Sequence, residues 1–110
     1  MSRQEVQNII LNHLKDYNPE FIGLFGSYAR KEHSKKSDID ILVRFHGSYS
    51  LLQLLRIENE LSDKLGIKVD LVTQGSIKNN RIKKNIQQDL QIIYKISGMT
   101  FLILNIFSCQ

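Results

Sequence analysis

Residues 21–43 read Phe21-Ile22-Gly23-Leu24-Phe25-Gly26-Ser27-Tyr28-Ala29-Arg30-Lys31-Glu32-His33-Ser34-Lys35-Lys36-Ser37-Asp38-Ile39-Asp40-Ile41-Leu42-Val43. An apolar run ends in Gly26-Ser27, a ten-residue polar connection follows, and Asp38 and Asp40 open a second apolar run. Strand side chains alternate faces, so Asp38 and Asp40 share one face while Ile39, Ile41 and Val43 share the other. Two neighbouring carboxylates repel, and burial worsens the repulsion. A positive group belongs between them. No single Lys or Arg at fixed strand spacing is an obvious partner, whereas Mg²⁺ takes one or two carboxylates together with substrate phosphates. A glycine at a strand end lets backbone approach a ligand closely. If Ser27 starts a short helix, its free N–H groups can hold a phosphate, and its hydroxyl adds a donor.

Outward from this stretch, residues 2–17 form an amphipathic helix with Ser2 and Glu5 as a capping box and Val6, Ile9, Ile10, Leu14 and Tyr17 at helical spacing. His13 falls near that face and reads as a packing or surface residue. Asn18-Pro19 ends the helix. Phe21–Phe25 is a first strand, Tyr28–Lys31 a turn or two of helix, and Asp38–Phe45 a second strand in which Leu42 lies on the carboxylate face. A helix over about 50–65 is capped by Ser48 or Ser50, carries a stripe of Leu51, Leu54, Leu55, Glu58, Leu61 and Leu65 with Leu52 and Ile57 beside it, and stops at Gly66. Ile67–Thr73 is a third strand, with Lys68, Asp70 and Val72 opposite its apolar face. A fourth helix starts near Ser76 and runs to about Asp89, with Ile82, Ile86 and Leu90 inward and Lys78, Arg81, Lys83 and Lys84 outward, the pattern of a solvated face. Leu90–Ile96 is either a short last strand or the end of that helix.

The 110 residues suit a single domain over 1–96, followed by an apolar tail over 97–110 whose role the pattern leaves open. The formal charge of +4 suits an anionic ligand, although plain solubility accounts for it equally. One cysteine, Cys109, excludes an intrachain disulfide and fits a cytoplasmic, reducing location. The polar N-terminus lacks the apolar core of a signal peptide. The cluster from Met99 to Phe107 is well short of the ~20 residues that span a bilayer. There is no Gly-x-x-x-x-Gly-Lys-Ser/Thr loop, no Gly-x-Gly-x-x-Gly and no zinc spacing.

The pattern Gly-Ser, ten residues, Asp-x-Asp resembles the signature of the nucleotidyltransferase superfamily that includes DNA polymerase β. The fuller string from Gly26 through Val43 resembles the minimal nucleotidyltransferases, the antitoxin partners of HEPN-domain toxins. The resemblance covers roughly residues 5–95. It implies an α/β (α+β) palm-like core, a small mixed sheet packed with helices. It implies a third catalytic carboxylate, which falls on Asp70, and two Mg²⁺ ions held by Asp38, Asp40 and Asp70. Gly26, Ser27 and Arg30 would then contact nucleotide phosphates; for Arg30 a surface ion pair is an equal alternative. Lys35 and Lys36 are further phosphate candidates outside the matched motif, and Tyr28 reads as packing. The resemblance alone supplies the reaction, transfer of AMP from ATP to a tyrosine of a HEPN toxin. No membrane or direct nucleic-acid substrate is expected, and a homo-oligomer is left open. Two alternatives stand beside this reading. One is a non-catalytic antitoxin that masks its toxin. The other is a nucleotidyltransferase acting on a small molecule or an RNA end.

Overall fold

The computed structural model describes residues 2–29, 38–73 and 80–96. Ser2 caps α1 (Arg3–Leu14), accepting a hydrogen bond from the Glu5 N–H, and a single 3₁₀ turn, Lys15–Tyr17, extends it. Asn18 then takes a left-handed conformation, φ 54°, and turns the chain into β1 (Pro19–Phe25). A one-turn helix, α2 (Gly26–Ala29), follows without a break. Next come β2 (Ile39–Phe45), α3 (Leu51–Leu65), β3 (Val69–Thr73), α4 (Asn80–Asp89) and β4 (Gln91–Lys95). Within Leu90–Ile96, readable two ways in the sequence, Gln91–Lys95 is a strand, antiparallel to β1.

The sheet has the order β3-β2-β1-β4. Its β1–β2 and β1–β4 pairs are antiparallel and its β2–β3 pair is parallel, the α3 crossover joining the latter two. One sheet face carries the main core, in which Ile22, Leu24, Ile39, Ile41, Val43 and Val69 meet Val6, Ile10 and Leu14 of α1 and Ile57, Leu61 and Leu65 of α3. On the other face Phe21, Phe25 and Leu42 are buried, with Ile86 of α4 also buried. Both α2 and α4 pack against β1, and α2 also packs against β2. Leu42 is buried although it lies on the carboxylate face. Among the described residues no helix is long and apolar enough to cross a membrane.

The capping of α3 follows its sequence. Ser50 and Gln53 form a reciprocal capping box, and Gly66, at φ 67°, ends the helix. Its inward face departs from the expected stripe. Ile57, Leu61 and Leu65 are buried, whereas Leu51, Leu52 and Leu55 are 73%, 79% and 42% exposed. The reason lies at the sheet edge. In β3 the Val69 N–H donates to Ser62 Oγ at 3.0 Å and the Leu71 N–H to Glu58 Oε2 at 2.8 Å. An edge strand presents unpaired backbone groups, and α3 is rotated so that Glu58 and Ser62 satisfy two of them. Those two N–H groups flank Asp70. Glu58→Ala leaves the Leu71 N–H without its acceptor and lowers stability by about 1–3 kcal/mol, with Glu58→Gln losing less. Urea unfolding measures both.

His13 is buried between α1 and α3. Lys64 Nζ lies 2.9 Å from its Nδ1, and its buried Nε2 has no hydrogen-bond partner among the described residues. Burial, and then the Lys64 ammonium, hold the imidazole below its ordinary value of 6.5, outweighing Glu60 and Asp16. The unfolded chain therefore takes up this proton at a higher pH than the folded one. Stability from this site is complete above about pH 6.5 and is lost as the pH falls through the lowered folded value. Urea midpoints at about pH 7.5 and 5.5 show the decline in wild type and a smaller one in His13→Gln.

Candidate active site

The two halves of the motif meet because β1 and β2 are neighbours. Phe25 pairs with Asp40, so Gly26 emerges directly beside that aspartate. Gly26 has φ 77°, a left-handed conformation that an L side chain adopts only with strain. A Cβ built on it would overlap Asp40 Oδ2 and lie 3.2 Å from Asp40 Cγ. Glycine is required here twice over, by backbone conformation and by the carboxylate seated against its α-carbon.

In the parallel β2–β3 pair, Ile39 stands opposite Val69, Asp40 opposite Asp70 and Ile41 opposite Leu71. Ile39, Ile41 and Val69 belong to the main core, so alternation places Asp40 and Asp70 side by side on the opposite face. Asp38 immediately precedes β2, one alternation step before Asp40, where the Ile39 N–H donates to Lys68 O at 2.9 Å. All three aspartates are half-buried. Their oxygens are the donor type that hard divalent cations take. Among the described residues, no three His, Cys, Asp or Glu side chains form a ready-made metal-holding group. The register thus joins Asp40 to Asp70, with Asp38 at the strand's entrance.

Ser27 lies in α2, but its side chain is outside the described residues, as are the whole of Arg30, Lys35 and Lys36. Tyr28 packs against the main core, in line with its reading as a packing residue. A cleft of about 650 Å³ lies at the other end of β2 and β3, lined by Arg44, Tyr49, Leu54 and Thr73 among others. It contains none of the three aspartates. Val43 and Thr73, its strand residues, are three positions beyond the Asp40–Asp70 pair, roughly 10 Å along the strands. The carboxylates thus occupy a sheet face outside that cleft.

Sequence reasoning missed the supports of the site. Glu58 carried a signal, since a charged residue in an inward stripe needs a partner. Arg3 carried none. Its Nη1 donates to Tyr28 O at 2.8 Å and its Nη2 to Gln91 Oε1 at 2.9 Å, both distant in sequence.

Comparison with known proteins identifies the family and the fold. Residues 7–98 match the family model described as polymerase beta, nucleotidyltransferase. A candidate protein adenylyltransferase of Methanocaldococcus jannaschii is 49% identical over 90 residues, covering 78% of this chain and 92% of the relative. The protein adenylyltransferase MntA of Thermococcus cleftensis is 39% identical over 87 residues, covering 76% and 88%. Among solved structures, a toxin-antitoxin complex with AMP-PNP superposes with TM-score 0.80 at 24% identity, over 93% of this chain and 84% of that one. A Shewanella oneidensis complex of a tri-AMPylated HEPN toxin with its MNT antitoxin gives TM-score 0.77 at 23% identity, over 97% and 85%. With the family model spanning most of its length and the strands arranged as that fold requires, the chain belongs to the polymerase β nucleotidyltransferase family.

Proposed function

We propose that this chain is an Mg²⁺-dependent protein adenylyltransferase that moves AMP from ATP onto a tyrosine hydroxyl of a cognate HEPN toxin and so acts as its antitoxin. The observation that carries the reading is the seating of Asp40 against Gly26 with Asp70 beside it in register. The names of the relatives and of the structural neighbours support the choice of AMP and of a HEPN acceptor.

The acceptor oxygen attacks the α-phosphorus, the bond from that phosphorus to the bridging oxygen breaks, and pyrophosphate leaves. Asp38, Asp40 and Asp70 would hold Mg²⁺, which when bound would neutralise charge at the phosphates and lower the pKa of the acceptor hydroxyl. Asp70 takes the hydroxyl proton. Backbone at Gly26 and Ser27, with the Ser27 hydroxyl and Arg30, holds the phosphates. Alignment of acceptor and nucleotide accounts for much of the remaining rate.

The exposed Leu51, Leu52 and Leu55 favour a second reading, in which the protein neutralises its toxin by covering it. Co-expression separates the two. Under the catalytic reading, wild type restores growth to toxin-producing cells and Asp38→Asn does not, although the variant still copurifies with the toxin. Neutralisation that survives Asp38→Asn would establish masking instead.

A further inference from the structure

Helix α2 is only four residues long, so it has almost no internal hydrogen bonding to set its direction. Its orientation must come from outside contacts. Arg3, half-buried at the start of α1, links α2 to β4 through one guanidinium. Nη1 donates to the carbonyl of Tyr28 within α2, and Nη2 to the side-chain oxygen of Gln91 in β4. The guanidinium carbon also stands 5.0 Å from the centroid of the Tyr28 ring, within range of a cation–π contact. Gln91 is itself placed by the pairing of β4 with β1, opposite Leu24, two residues before Gly26. The fork therefore ties the motif helix to the strand beside the one from which it emerges. A positive charge near the carbonyl end of a helix also favours the helix dipole.

We infer that Arg3 is a positioning residue: it holds α2 so that Gly26 stays against Asp40 and the Gly26-Ser27 backbone faces the nucleotide. The inference rests on the nucleotidyltransferase reading of that backbone. Lysine cannot replace the fork, because one ammonium cannot present two parallel donors in the same plane. Alanine removes both donors and the ring contact.

The test is calorimetric titration of ATP with Mg²⁺ into wild type, Arg3→Ala, Arg3→Lys and Gln91→Ala, alongside AMP transfer and thermal melts without nucleotide. The expected result is an ATP Kd and KM raised about 10- to 100-fold in Arg3→Ala, with kcat changing less, because the charge-assisted hydrogen bonds that fix the phosphate-holding backbone are worth about that much in binding. Arg3→Lys falls between, and Gln91→Ala shifts more weakly in the same direction. The melts establish that each variant is folded at the assay temperature, so a purely structural role would leave Kd unchanged. ATP affinity in Arg3→Ala within about twofold of wild type overturns the inference. If Arg3→Ala does not fold, unchanged affinity in both Arg3→Lys and Gln91→Ala overturns it equally. Wild type is titrated first: if it binds no ATP, the nucleotide reading itself fails and this inference with it.

Discussion

Asp40→Asn protein transfers AMP about a thousandfold more slowly than wild type, or not at all, and melts at the same temperature or slightly higher. The loss follows from charge. Asparagine keeps the shape of the side chain beside Gly26 but removes the negative oxygen that a hard cation selects. Removing a single preorganised electrostatic contact in an active site costs ~10²- to 10³-fold, and here the cation contact serves both the phosphates and the acceptor. The retained stability follows from the neighbour. Asp40 and Asp70 are register partners, so neutralising one relieves repulsion of the other. Single-turnover AMP transfer and a thermal melt test both halves. Wild-type transfer by this variant contradicts the assignment of Asp40. A collapse of the fold would mean that the carboxylate is structural.

The second large effect is at Gly26. Gly26→Ala introduces a Cβ that cannot coexist with Asp40 Oδ2 in its present position, at a φ of 77° where alanine is strained. The backbone term costs about 1–2 kcal/mol. In a domain of this size each kcal/mol lowers the melting temperature by roughly 4–8 °C. The carboxylate must also move, and a displacement of about 1 Å at a reacting centre costs on the order of 10²-fold in rate. A loss of about a hundredfold or more in transfer, with a melting temperature lower by roughly 5–15 °C, is expected. Gly47→Ala is the control: a Cβ there meets nothing within 4 Å, and activity and melting should both be unchanged. Equal tolerance at the two glycines would contradict the close seating of Asp40 on Gly26.

How far this was legible in the sequence depends on whether the deciding partner is local. The caps at Ser2 and Ser50 and the stop at Gly66 each depend on residues within a turn, and they formed as the residue types dictate. The relation of Asp38 and Asp40 to the core followed from strand alternation alone. The inward face of α3 did not. Leucines at 51, 52, 54 and 55 allow neighbouring helical rows to point inward, and the choice is made by the β3 edge through Glu58 and Ser62. The nature of Leu90–Ile96 was likewise undecided, because only pairing with β1 makes it a strand. Arg3 left no trace, since a surface arginine one residue after a cap looks the same whether or not it reaches a carbonyl 25 residues away.

Intact-mass spectrometry of the cognate HEPN protein, incubated with this protein, ATP and Mg²⁺, tests the central claim most directly. The account predicts a gain of one or more AMP units on that protein, with pyrophosphate released, and no gain with the Asp40→Asn variant. A stable complex whose HEPN partner gains no mass with any nucleoside triphosphate would contradict it.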